Sequence, residues 1–73
     1  MIDDIRTINV YYWSGGQPAG SEIPHNVLYP YSKEKRNEVI DYFLDRGFEV
    51  MIRKNKEFQI ILVDVPGGKF RQR

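Results

Sequence analysis

The chain reads as a small α+β domain in the order β-β-α-β-β, a mainly antiparallel sheet with one helix packed on one face. Short β-branched and aromatic segments alternate apolar and polar residues, the period of a half-buried strand. A single stripe, Val39, Ile40, Phe43 and Leu44, recurs at helical spacing. Glycine and proline punctuate the chain between these segments.

In Ile5 to Trp13, the residues Ile8, Val10 and Tyr12 alternate with Thr7, Asn9, Tyr11 and Trp13, which predicts a strand. Ser14 to Pro24 follows with three Gly and two Pro, and predicts a mobile loop over 14–24. Asn26 to Ser32 reads as a second extended segment. Pro30 offers no N–H, so this strand belongs at a sheet edge or stops near Leu28.

Ser32 is the expected N-cap of a helix from Lys33 to about Arg46, with Glu34 in the first turn complementing the dipole. Gly47 is the expected left-handed stop, and Phe48 is placed to pack back on Phe43. Two strands complete the chain. Phe48 to Arg53 puts Phe48, Val50 and Ile52 on one face, and Glu57 to Val65 puts Phe58, Ile60 and Leu62 there. The last strand is also apolar at Ile61, Val63 and Val65, so it is expected at the sheet centre. The helix is then predicted to cover Ile8, Val10, Val50, Ile52, Phe58, Ile60 and Leu62, leaving Tyr11, Trp13, Ile61 and Val63 on the opposite face.

At 73 residues there is room for one domain, residues 1–68, burying about 60% of the unfolded chain's surface. Residues 69–73 read as a flexible basic tail. With no cysteine, disulfides and thiolate metal sites are excluded. Met1 precedes the charged Asp3, Asp4 and Arg6, which predicts no signal peptide. Ile60 to Val63 is the longest apolar run, far short of a membrane span. These features lead us to expect a cytoplasmic protein without membrane association.

No constellation for catalysis is legible. His25 is the single histidine, and Ser14, Ser21 and Ser32 sit beside turn or cap signals. Asp3, Asp4 and His25 lack metal-site spacing. Glu34, Glu38, Asp41 and Asp45 form a carboxylate row along the helix that reads as a solvated face. The loop lacks the Gly-Lys-Ser/Thr ending of a phosphate loop. We therefore expect no enzyme, no cofactor and no metal.

What rises above background is aromatic surface. Tyr11, Trp13, Tyr29 and Tyr31, with the tail cations Lys69, Arg71 and Arg73, are the candidate partner-binding residues. Tyr, Trp and Arg are favoured anchors at protein interfaces. The same rings and tail would serve a single-stranded nucleic-acid binder through stacking, although a net charge of +1 is a poor footprint for that role.

The short β-β-α-β-β chain, its aromatic first strand and its basic end resemble a small phage-encoded regulator that binds bacterial RNA polymerase, of the Xanthomonas-phage transcription inhibitor and antiterminator type. The resemblance spans the whole chain and rests on size and element order. It implies a non-enzymatic protein of the host cytoplasm that docks on polymerase subunits and inhibits initiation or alters termination. It assigns no role to individual residues.

Overall fold

The computed structural model describes residues 5–55 and 57–68. Its elements are β1 (Thr7–Tyr12), β2 (Val27–Pro30), α1 (Lys33–Asp45), β3 (Glu49–Lys54) and β4 (Phe58–Asp64). The β-β-α-β-β order is the expected one. The tail residues Lys69, Arg71 and Arg73 lie outside the described residues.

Local chemistry bounds the helix at both ends. Ser32 is extended, with φ −153°, and its Oγ accepts the Lys35 N–H at 2.9 Å, an N-cap that stabilises by about 1 kcal/mol. At the other end Gly47 takes φ +85°, a conformation open to a residue without Cβ. This lets the Gly47 N–H donate to the Leu44 carbonyl and the Phe48 N–H to the Phe43 carbonyl, each at 3.0 Å. These are the paired bonds of a Schellman cap. Phe48 closes it by packing edge-on against Phe43, with centroids 5.4 Å apart.

The sheet order is β2-β1-β4-β3. Both outer pairings, β1 with β2 and β3 with β4, are antiparallel, while the central pairing of β1 with β4 is parallel. β4 is central, as its two apolar faces required. β2 is an edge strand, as Pro30 required. At the end of β4, Gly67 at φ +74° follows Pro66, and the Gly68 N–H donates to the Val65 carbonyl at 2.7 Å. That is the geometry of a type II turn.

One face of the sheet packs on α1. Ile8, Val10, Tyr12, Val39, Phe43, Phe48, Ile61 and Val63 form the buried core. The expectation for β4 is corrected here: Ile61 and Val63 are on the helix side, while Phe58, Ile60 and Leu62 face away. The β3–β4 hairpin decides this. Lys54 pairs with Gln59 and Val50 with Val63, so an even number of residues connects the strands. An even connection sets even-numbered residues of β3 beside odd-numbered ones of β4, and paired residues share a face. The parallel register agrees, pairing Val10 with Ile61 and Tyr12 with Val63.

Two further corrections follow from the packing. Leu44 is 53% exposed rather than part of the buried stripe. Val39 and Phe43 are the buried helix residues, flanked by Ile40 and Tyr42. Ile52, though on the helix side, is 43% exposed because it stands on the edge strand. No helix among the described residues is long and apolar enough to cross a membrane.

Candidate functional site

The face of the sheet turned away from α1 is built from odd-numbered residues of β1 and β3 and even-numbered residues of β2 and β4. Register places Pro30, Thr7 and Phe58 in one row across it, Leu28, Asn9, Ile60 and Arg53 in the next, and Tyr11, Leu62 and Met51 in a third. Tyr11, Met51, Phe58, Ile60 and Leu62 are half-buried, and Leu28 is 59% exposed. None of these side chains belongs to the core or to the partly buried set packed against it. The sheet thus has a second, apolar face on which no described element packs. At its centre Asn9 is buried, and its Oδ1 accepts the Thr7 hydroxyl at 3.1 Å.

Trp13 follows β1 at one end of this face. Its N–H donates to the Val63 carbonyl at 2.7 Å, fixing the backbone, while the residue stays 45% exposed. Of the sequence candidates, Tyr11 and Trp13 are therefore near one another, on β1 and just beyond its end. Tyr29 and Tyr31 are elsewhere. Tyr29 pairs with Ile8 and packs on the core side, under the Lys35 ammonium, which sits 4.7 Å from its ring centroid. Tyr31 also packs on the core, and its N–H donates to the Arg6 carbonyl at 2.9 Å.

Sequence reasoning missed Phe58, Ile60, Leu62, Met51 and Leu28 as surface. The parity of β4 hid the first three. The signal available was the polar hairpin at Arg53 to Glu57, since an even-length connection would have reversed the assignment.

The loop between β1 and β2 is hydrogen-bonded at several points. The Tyr12 hydroxyl meets Ser21 Oγ and donates to the Ile23 carbonyl at 2.5 Å. Gln17 Nε2 donates to the Ser21 carbonyl at 2.7 Å, and the Glu22 N–H donates to the Tyr42 hydroxyl at 2.7 Å. His25 Nδ1 accepts the Tyr12 N–H at 3.3 Å, with its ring 5.9 Å from that of Tyr11 and 6.1 Å from that of Tyr12. Burial pushes the Tyr12 phenol up from its ordinary 10.0. The Ser21 hydrogen bond opposes that shift, and Tyr42 and Tyr29 add to it slightly.

This network is structural in character. Ser21 Oγ is taken up by Tyr12 and by the Ile23 N–H at 3.2 Å, and His25 by the Tyr12 backbone, so the two do not form a nucleophile–base pair. Among the described residues no group of three His, Cys, Asp or Glu comes together to hold a metal. A groove of about 260 Å³ opens between α1 and the loop. Its polar groups largely satisfy one another: Lys35 Nζ is 3.5 Å from Glu38 Oε1 and over Tyr29, and the Tyr42 hydroxyl is held by Glu22.

Comparison of the chain with protein-family models, with curated proteins and with solved structures finds no match.

Proposed function

We propose that this chain is a non-enzymatic interaction protein that docks on a protein target through the apolar sheet face, with Trp13 as an anchor at its end. One observation carries the reading: Tyr11, Leu28, Met51, Phe58, Ile60 and Leu62 share a face that no described element covers. Aromatic and aliphatic side chains fixed on strands contribute buried area with little further loss of entropy, which is how interface anchors work. The size and element order resemble a phage regulator of transcription. We accordingly propose bacterial RNA polymerase, in the host cytoplasm, as the target, and inhibited initiation or altered termination as the result.

Charge favours a protein over a nucleic acid. The carboxyl-bearing Glu49 and Asp64 pair across this face and Arg53 stands four residues further along β3, so the face has no excess of cations for phosphates. The test is binding to purified polymerase at physiological salt. Trp13→Ala and Leu28→Asp, checked for folding, should each weaken binding about thirtyfold, the effect of losing about 2 kcal/mol at an anchor. Deletion of residues 69–73 should mainly slow association. Unchanged binding in both point variants would remove the sheet face from the site. Binding to single-stranded nucleic acid instead, with a log–log salt slope of about −0.7 per phosphate contact, would replace the proposal with the nucleic-acid reading.

A further inference from the structure

The sheet has two edges of unequal character. β2 is four residues long, ends on Pro30 and begins after Asn26 at φ +64°, so it offers little backbone for pairing. β3 is six residues, Glu49 to Lys54, without Pro or Gly, and no described strand lies outside it. The Asn55 N–H donates to the Phe58 carbonyl at 2.8 Å, which sets the phase of the β3–β4 ladder. Alternation then turns the backbone N–H and C=O of Val50 and Ile52 outward, away from β4.

Read against its own reverse, the strand sequence EVMIRK is self-complementary. Two antiparallel copies related by a two-fold axis must set one residue opposite itself. With Met51 on the axis, Val50 faces Ile52 of the second copy and Glu49 faces Arg53 of the second copy, each contact occurring twice. The faces agree as well. Glu49, Met51 and Arg53 lie on the apolar-face side, and Val50 and Ile52 lie on the helix side. Ile52, 43% exposed in the single chain, would pack against the second copy's Val50. A slip of two residues either way sets Met51 against Arg53 or Glu49 and loses both charge contacts, so the pattern specifies one register.

We infer that β3 is a self-association edge: two copies of this chain pair antiparallel through β3 in the register centred on Met51. The product is one continuous sheet with both helices on the same side and both apolar faces on the other. This pairing does not depend on the docking proposal and is measurable with no target present.

Edge pairing buries a small interface, so the dimer is weak. Sedimentation equilibrium of the full chain should show a monomer–dimer equilibrium between micromolar and millimolar concentration. Glu49→Arg and Arg53→Glu should each weaken it at least about tenfold, because two like-charge contacts replace two opposite ones. An equimolar mixture of the two variants should associate at least as well as the wild type, since opposite charges then meet at both contacts. The chain has no cysteine, so Met51→Cys should oxidise to a covalent dimer, the two Cα atoms being about 4.5 Å apart across the axis. Ile52→Cys should not, its counterpart being out of reach. If the wild type stays monomeric throughout, if mixing restores nothing, or if Ile52→Cys cross-links as fast as Met51→Cys, the inference is wrong. Should a charge variant fail to fold, the cysteine pair decides.

Discussion

The Tyr12 hydroxyl donates to the Ile23 carbonyl at 2.5 Å, tying the end of β1 to the far side of the long loop. The middle tyrosine of the aromatic run is thus a loop anchor as well as a core residue: 3% exposed, its ring edge-on to Phe43 at 5.8 Å. Tyr12→Phe keeps the ring and removes the anchor. It should cost about 1–3 kcal/mol in urea unfolding, the range for stranding buried hydrogen-bond partners. Amide exchange at Ile23 should accelerate, since its N–H bonds Ser21 Oγ within the same network.

The same phenol makes stability fall in alkali. Its folded pKa lies above the unfolded value of 10.0, chiefly through burial, so above pH 10 the folded state holds a proton the unfolded chain has released. Stability therefore declines as pH rises from 10 through the folded pKa, and the contribution is fully present below 10. Unfolding free energies of wild type and Tyr12→Phe, compared at pH 9 and pH 11, should differ less at the higher pH. An unchanged difference would place the phenol in water.

Neighbouring positions on α1 should respond very differently to truncation. Phe43 is fully buried and meets Tyr12, Tyr42 and Phe48 edge-on. Phe43→Ala should cost about 3–5 kcal/mol, enough to unfold a domain with a core this small. Leu44→Ala, at a site 53% exposed, should stay within about 0.5 kcal/mol. Thermal melts of the two variants distinguish this packing from the stripe read off helical spacing.

Gln59 shares the helix side of β4 with Ile61 and Val63, is 5% exposed, and its Oε1 has no hydrogen-bond partner among the described residues. An unsatisfied buried acceptor costs about 1–3 kcal/mol. Gln59→Met, similar in length and without that acceptor, should raise the urea midpoint. A lowered midpoint would mean that the amide serves the fold through its NH₂ group.

What the sequence makes legible follows the range of the interactions. The Ser32 cap, the Gly47 stop and the Phe43–Phe48 contact involve residues within a turn or two, so composition and spacing reveal them. Pro30 and the two-sided apolarity of β4 likewise place an edge and a centre. The side that β4 turns to α1 is different, because both parities are apolar and the choice rests on the length of one hairpin. With that choice go Phe58, Ile60 and Leu62, and most of the candidate site. Tyr29 and Tyr31 illustrate a second limit. An aromatic residue on or just after a short edge strand reads alike whether it packs on the core or faces outward, and only the pairing with β1 and the Tyr31–Arg6 bond separate the two.

The parallel pairing of β1 with β4 has a consequence for how the protein is made. β1 is made before its partner along one whole side, from Thr7 with Phe58 to Tyr12 with Val63, and β2, α1 and β3 are all translated between the two. Until β4 emerges, β1 and the β2 hairpin on one hand, and α1 on the other, lack the strand between β1 and β3 that joins them. Loop-closure entropy must be overcome before that contact contributes anything. The four-stranded sheet therefore closes only once β4 has been made, and until then the side of β1 that β4 covers has no strand partner.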